Sequence, residues 1–142
     1  MTVPSMDFPQ SFQFGARERA LLPLLFWLAV IFSFSSFPGV STTSAPPLWY
    51  FMERKGAHVF EYTVLTFLSF RFFRLSFREA SLAIVLFLSM MFSLSYGATD
   101  ELHQYFVPFR GAYMRDVAID GGGALLAGAL IFFWQRTKNR PL

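Results

Sequence analysis

Four long apolar segments constrain this chain more than any other feature of its sequence. They cover residues 20–37, 57–73, 80–99 and 117–134. A helix needs about 17–25 mostly apolar residues to cross a membrane, and the first, third and fourth segments reach that length. The second is interrupted by Arg71, whose side chain can extend to the membrane surface. We interpret it as a fourth span, with a re-entrant segment as the alternative. The sequence therefore predicts an all-α protein, a four-transmembrane-helix bundle.

Composition supports a membrane protein and excludes several other classes. The chain has 142 residues, of which 54% are hydrophobic and 15% charged, whereas about 25% of the residues of soluble domains are charged. It has no Cys, which excludes disulfides and thiolate metal sites. We expect a cytoplasmic arm at 1–19, one membrane domain at 20–135 and a basic tail at 136–142. The first apolar segment lacks a clear small-residue cleavage site, so we interpret it as a retained helix and not as a signal peptide.

The basic residues predict the orientation of the bundle. Most of them lie before the first segment, between the second and third, and after the fourth: Arg17, Arg19, Arg71, Arg74, Arg78, Arg136, Lys138 and Arg140. Lys and Arg collect on the cytoplasmic side of membrane proteins, so both termini are predicted to be cytoplasmic. This bias also explains the pI of about 9.6, and no nucleic-acid partner is expected. The other four cations, Arg54, Lys55, Arg110 and Arg115, fall in two predicted loops on the outer side.

Polar residues interrupt three of the apolar segments at the predicted outer end. They are His58, Glu61 and Tyr62 in the second segment, Asp100, Glu101, His103 and Gln104 at the end of the third, and Asp116 and Asp120 at the start of the fourth. His58 and Glu61 are three residues apart and share a helix face. A charged side chain at membrane depth costs about 2.5–3.5 kcal/mol by the lower scales. We therefore expect these groups to face one another in a polar pocket that opens outward.

The fourth segment also contains small residues at helical spacing. Gly123 and Ala127 are four residues apart, as are Ala124 and Gly128. This pattern lets two membrane helices approach closely. It predicts a packing role and no phosphate loop, because the glycines lie inside an apolar helix and not between a strand and a helix.

Two stretches carry a resemblance to a known family. "ERKGAHVFEYTVLTFL" followed by "TDELHQYFVPFRGAYMRDVAIDGGGALLAG" resembles the VanZ-like family of small bacterial membrane proteins, over residues 38–128. The matching positions, in order, are Lys55, His58, Tyr62, Asp100, Glu101, Gln104, Arg110, Asp116 and Gly123. The chain departs from the family pattern at Asp120, where the family usually has Asn.

The resemblance implies a multi-pass protein of the bacterial cytoplasmic (inner) membrane that acts in the cell envelope. The named member of the family is associated with low-level resistance to teicoplanin, a glycopeptide with a lipid tail. The biochemical activity of the family is not established, so whether this chain is an enzyme stays open. The expected partner is a membrane lipid or a lipid-linked cell-wall intermediate, and no cofactor is expected.

Three hypotheses follow for the polar residues. In a catalytic pocket, His58 or Glu61 acts as general base and Glu101 or Asp116 as the partner acid. In a binding pocket, a lipid, a lipid-linked sugar or a partner helix is held without turnover, and the cations hold an anionic headgroup. The candidate ligand-binding residues are Lys55, Tyr62, Asp100, Gln104, Arg110 and Asp120. The third hypothesis is an accessory or structural protein whose ion network only fixes helix packing.

A metal site is a further alternative that the sequence does not favour. His58, Glu61, Glu101, His103 and Asp116 include suitable ligand types. The spacing lacks a complete HExxH pattern, so no metal ligands are predicted. His103, taken alone, is interpreted as a solvated histidine. Glu53, Arg54 and Arg115 are interpreted as surface charges.

Overall fold

The structure is a computed structural model that describes residues 15–39, 48–111 and 113–138. These residues form four helices: α1 (Ala16–Ser35), α2 (Leu48–Ser76), α3 (Leu82–Gln104) and α4 (Met114–Lys138). The described residues contain no strand, so the all-α prediction is confirmed. The predicted arm up to residue 14, the side chain of Glu53 and Arg140 lie outside the described part.

Three of the four helices have the length and composition of membrane spans: α1, α3 and α4. Among the described helices, α2 alone does not meet that criterion, because its sequence contains several charged residues. It is nevertheless the longest, with 29 residues, or about 43 Å at about 1.5 Å per residue. That exceeds the hydrocarbon thickness of a bilayer, which is about 30 Å.

The helices extend beyond the apolar segments at the predicted outer end. α2 begins at Leu48, nine residues before the predicted span 57–73, and α4 begins at Met114. The prediction that Arg54, Lys55 and Arg115 belong to loops is therefore wrong. Glu, Arg and Lys are good helix formers, so the helix continues after the apolar pattern has ended.

α2 lies at the centre of the arrangement, in contact with α1, α3 and α4. α1 and α2 run antiparallel. The Arg17 guanidinium, near the start of α1, lies 5.7 Å from the ring centre of Phe72, near the end of α2. Further along, Trp27 Nε1 donates a hydrogen bond of 2.9 Å to the carbonyl oxygen of Glu61. Because three helices surround α2, its polar side chains His58, Tyr62, Thr66 and Ser69 are buried against protein. Its arginines near the other end, Arg71 and Arg74, are exposed.

The interior of the bundle mixes apolar clusters with hydroxyl groups. One cluster contains Leu24, Ile31, Tyr62 and Leu65, and a second contains Phe70, Val85 and Ile131. Thr66 Oγ1 donates a buried hydrogen bond of 2.8 Å to Ser93 Oγ, from α2 to α3. By contrast, Phe26, Phe60 and Phe87 are exposed on the outside. Small polar groups inside and large apolar groups outside are typical of helices that pack in lipid.

Glycines in α4 allow close contact with two other helices. A Cβ atom added to Gly123 would lie 2.5 Å from the carbonyl oxygen of Val59 in α2. The same glycine accepts a hydrogen bond of 3.1 Å from Thr63 Oγ1 at its own carbonyl oxygen. Five residues further along α4, Gly128 lies against the sulfur of Met90 in α3. The small residues of α4 thus serve packing, in agreement with the sequence interpretation.

The loop between α3 and α4 is held against the end of α1. The Gly39 N–H donates a hydrogen bond of 3.0 Å to the Pro108 carbonyl oxygen, and Arg110 Nη2 donates one of 3.0 Å to the Phe34 carbonyl oxygen. Between them, Phe109 has a φ of 59°, a left-handed conformation that costs a bulky residue about 1–3 kcal/mol. These contacts bring α1 to the polar end of the other three helices.

Candidate functional site

Buried polar side chains gather near the end of the bundle where α3 finishes and α4 begins. They are His58, Asp100, Glu101, Gln104, Asp116 and Asp120. Three helices contribute to this group, which we call the polar cluster. Burying charged groups is costly unless they are paired or hydrogen-bonded, so the partners of each group indicate what the cluster can do.

Asp120 is the most deeply buried member of the polar cluster. Its side chain has no exposed surface, and its Oδ1 atom lies 2.9 Å from His58 Nδ1. Space for the carboxylate exists because Gly97 faces it from α3. A Cβ atom added to Gly97 would lie 3.0 Å from Asp120 Oδ2. The α2–α4 hydrogen bond therefore depends on a glycine in the third helix.

Glu101 approaches the same point from α3. Its Oε2 atom accepts a hydrogen bond of 2.9 Å from the backbone N–H of Tyr113, which ties the end of α3 to the start of α4. One ligating atom from each of His58, Glu101 and Asp120 lies within 4.8 Å of the other two. We call these three residues the buried trio. Among the described residues, Glu101 Oε1 and Asp120 Oδ2 have no hydrogen-bond partner.

A second ion pair lies beside the buried trio. Lys55 Nζ contacts Asp116 Oδ1 and so links α2 to α4. Arg115 Nε lies 3.7 Å from the same oxygen. Asp116 is thereby neutralised by cations on its own helix and on α2. Asp116 is not a member of the buried trio.

A cavity of about 370 Å³ lies next to the trio and shares His58 with it. Its described lining residues are Phe34, Ser35, Phe37, Arg54, Ala57, His58, Glu61, Asp100, Gln104 and Arg110. We call it the polar pocket. The volume falls within the range of small-molecule sites, about 300–1,000 Å³. The lining combines two guanidinium groups, two carboxyl groups and aromatic rings, so it can hold a ligand that is both polar and apolar.

Hydrogen bonds fix several groups in the wall of the pocket. Gln104 Nε2 donates a bond of 2.7 Å to Asp100 Oδ2, one turn back on α3. Arg110 is held at the rim by its bond to Phe34. A wall fixed in this way reduces the ordering cost of binding a ligand.

Comparison with known protein families identifies the family of this chain. The sequence model of the VanZ/LLP1 family matches residues 20–135, which is more than half of the chain. The chain belongs to the VanZ/LLP1 family. The resemblance inferred from the motifs is thus confirmed. Together with the apolar helices α1, α3 and α4, membership identifies a multi-pass membrane protein. No curated protein and no solved structure matches the chain.

The predicted site residues of this VanZ-family protein divide into distinct groups. His58, Glu61, Asp100, Gln104 and Arg110 line the polar pocket, Glu101 and Asp120 belong to the trio, and Lys55 and Asp116 form the adjacent ion pair. Tyr62 is fully buried, with its ring centre 6.4 Å from that of His58. It is not among the described lining residues, so it supports the imidazole from the core and does not form part of the wall.

His103 belongs to a different contact. Its Nε2 atom lies 3.1 Å from Ser36 Oγ, and its ring centre is 4.5 Å from that of Phe32. The interpretation of His103 as a solvated histidine is therefore incomplete, because it packs α3 against the end of α1. It does not belong to the buried trio.

The sequence did not predict three features of the site. Arg54 was interpreted as a surface charge but lines the pocket, as do Phe34 of α1 and Phe37, which follows the end of that helix. Gly97 forms the space for Asp120. Of these, only Gly97 has a sequence signal, since a glycine inside an apolar helix and one turn before two acids suggests close contact. The spacing of residues within one segment shows which side chains share a helix face. It does not show which side chains of another helix that face contacts.

Proposed function

We propose that this VanZ-family protein binds an anionic lipid headgroup, such as that of a lipid-linked cell-wall intermediate, in the polar pocket. In this proposal the protein lies in the bacterial cytoplasmic (inner) membrane, all four helices cross it and both termini are cytoplasmic. The pocket then faces the extracytoplasmic side. Sequestering or presenting such a lipid would alter susceptibility to teicoplanin-type glycopeptides.

The observation that supports the proposal is the presence of Arg54 and Arg110 in one pocket, together with aromatic side chains at and just after the end of α1. Guanidinium groups bind phosphate through two parallel hydrogen bonds. Phe34 and Phe37, at the end of α1, supply an apolar surface for the first part of a lipid chain. Glu61 adds an acceptor for a hydroxyl group of the ligand. This combination fits a phosphate ester that carries hydroxyl groups and a hydrocarbon chain.

The distribution of cations supports the proposed orientation. The start of α1, the end of α2 and the end of α4 meet at a groove that contains Arg19, Arg71, Arg74 and Trp134. This is the end opposite the polar pocket, and it also carries Arg136 and Lys138. Under the positive-inside rule the end with more Lys and Arg is cytoplasmic. The length and central location of α2 support its crossing the membrane with the others.

Native mass spectrometry of the protein in lipid nanodiscs tests the binding proposal. Wild type is expected to retain a polyprenyl phosphate in preference to the matching neutral alcohol. Arg54→Gln and Arg110→Gln should each reduce this preference at least tenfold. Arg115→Gln is the matched control, because Arg115 lies at the same end but is not among the lining residues. Equal retention of the phosphate and the alcohol by folded wild type would refute the proposal.

The proposed effect on antibiotic response has its own test. Cells that express wild type or Arg115→Gln are expected to tolerate more teicoplanin than cells that express Arg54→Gln at the same membrane level. The comparison needs immunoblots of the membrane fraction to show equal amounts. If the two arginine variants protect equally, the pocket is not the cause of any change in susceptibility.

Catalysis is a second candidate function, and the hydrogen bond between His58 and Asp120 favours it. An imidazole fixed by a carboxylate at Nδ1 is oriented to act as a general base through its other nitrogen. His58 also lines the pocket, so the base would reach a bound ligand. Release of phosphate from a polyprenyl phosphate by wild type and not by His58→Asn would support turnover. Unchanged substrate in both samples would leave the protein a binding or accessory protein.

A further inference from the structure

From the geometry of the buried trio we infer that His58, Glu101 and Asp120 bind a divalent transition-metal ion, such as Zn²⁺ or Mn²⁺, in the wall of the polar pocket. The inference goes beyond the proposed lipid binding and does not depend on it. The three side chains come from α2, α3 and α4, so one ion would tie three helices together.

The distances within the trio fit ligands of one ion. Two ligating atoms, each about 2.1 Å from the same metal ion, lie about 3.4 Å apart at the tetrahedral angle of Zn²⁺ and about 3 Å apart at the octahedral angle of 90°. His58 Nδ1 and Asp120 Oδ1 are 2.9 Å apart. All three ligating atoms lie within 4.8 Å of one another. Binding would therefore need movements of at most about 2 Å, which bring the largest separation within the trio from 4.8 Å to that expected between two ligands of one ion.

Unsatisfied oxygens are the second, independent observation. The side chain of Asp120 is fully buried, and Glu101 is only 3% exposed. Asp120 Oδ2 and Glu101 Oε1 each have no hydrogen-bond partner among the described residues. Buried carboxylate oxygens without a donor are rare because they cost the full desolvation penalty. A divalent cation would satisfy both carboxylates at once.

Charge balance at this position favours a cation with two charges. The trio contains two carboxyl groups and one imidazole, and the nearest lysine, Lys55, is engaged with Asp116. A divalent ion neutralises both carboxylates while the imidazole stays neutral and ligates. The imidazole ligand favours Zn²⁺ over Ca²⁺, and the two carboxylates also suit Mn²⁺. The chain has no Cys to offer a thiolate.

The position of the ion would matter for the pocket. His58 belongs to both the trio and the pocket lining, so the ion would lie at the boundary between them. With three protein ligands it would keep a coordination position open, as catalytic zinc sites do. The class of ligand expected at that position is an oxygen of a water molecule or of an anionic ester.

Metal binding by the full-length protein without an affinity tag tests the inference. After chelation and desalting in detergent, titration with Zn²⁺ and with Mn²⁺ should show one site per chain for at least one of the two ions. Glu101→Gln and Asp120→Asn should each weaken that site at least tenfold. Glu18→Gln is the control, since Glu18 is an exposed acid in the first turn of α1, away from the trio, and the affinity of this variant should equal that of wild type.

Two outcomes overturn the inference. Absence of a stoichiometric site in folded wild type would show that protons and hydrogen bonds alone neutralise the trio. Equal affinity in wild type and the trio variants would place the metal elsewhere. Zinc-edge X-ray absorption of wild type gives a check that needs no variant, because it should show one imidazole and only N or O ligands at about 2.0–2.1 Å. These measurements contain no lipid ligand, so their failure is distinguishable from failure of the lipid-binding proposal.

Discussion

Gly123→Ala is the substitution that most directly tests the packing of α2 against α4. The added Cβ would lie 2.5 Å from the Val59 carbonyl oxygen and 3.2 Å from the Thr63 backbone nitrogen, whereas ordinary contacts are 3.4 Å or longer. Both obstacles are backbone atoms, so no side-chain rotation relieves them. The two helices must separate by about 1 Å near this contact.

The energetic cost can be estimated from three contributions. Overpacking of this kind costs about 1–3 kcal/mol. Separation of the helices also weakens the hydrogen bond from Thr63 to the Gly123 carbonyl oxygen, which contributes about 0.5–1.5 kcal/mol. Replacing a helical glycine by alanine stabilises the helix by about 1 kcal/mol, because alanine has the higher helix propensity. The net loss of stability is therefore about 0.5–3.5 kcal/mol, or a fall in Tm of about 2–14 °C for a chain of this size.

Thermal unfolding of detergent-solubilised protein, followed by circular dichroism, measures this effect. Gly122→Ala is the matched control, because a Cβ added there meets nothing within 4 Å. Its Tm should equal or exceed that of wild type, while that of Gly123→Ala should fall. If Gly122→Ala and Gly123→Ala give the same Tm, α2 and α4 do not approach each other closely at Gly123.

Three further substitutions probe the polar end and the core. Gly97→Ala introduces a Cβ atom 3.0 Å from Asp120 Oδ2, so metal affinity should fall even where circular dichroism shows an unchanged fold; wild-type affinity would contradict the role of this glycine. Lys55→Met leaves Asp116 without its partner on α2. The free energy of unfolding should fall by about 1–3 kcal/mol in the same melting assay, and a second substitution, Asp116→Leu, should partly reverse that loss. Thr66→Val keeps the shape of the side chain but removes its donor, so we expect a loss of about 0.5–1 kcal/mol, and an unchanged Tm would show that this hydrogen bond contributes nothing.

Much of the fold was predictable because lipid restricts what an apolar chain can form. Backbone groups in hydrocarbon must be satisfied within the segment, so long apolar segments become helices. The extension of α2 to Leu48 was not predictable from hydropathy, because Arg54 and Lys55 are polar residues that also favour helix. The structure shows that Arg54 and Lys55 belong to α2, which packs against the other three helices.

The sequence was enough to predict how deep in the bundle the residues of the candidate site lie. It was not enough to predict which of them contact one another. The fixed rise of about 1.5 Å per residue is enough to bring His58, Glu101 and Asp120 to a similar level. It does not fix how each helix is rotated about its axis or which neighbour it touches. Asp116 and Asp120 are one turn apart on α4, yet Asp116 pairs with Lys55 and Asp120 with His58. On α3, Gly97 leaves room for the Asp120 carboxylate, and no feature of the α4 segment by itself predicts that contact.

The sequence by itself determined that this chain is helical, suited to a membrane and a relative of the VanZ-like proteins, since these properties depend on local composition and ordered motifs. Only the tertiary structure decided that Arg54, Phe34 and Phe37 share a pocket, and that His58, Glu101 and Asp120 meet in a buried group. Contacts between helices depend on crossing angle and rotation, which small residues set by how closely they let backbones approach. That information is distributed over the whole bundle and is not present in any one segment.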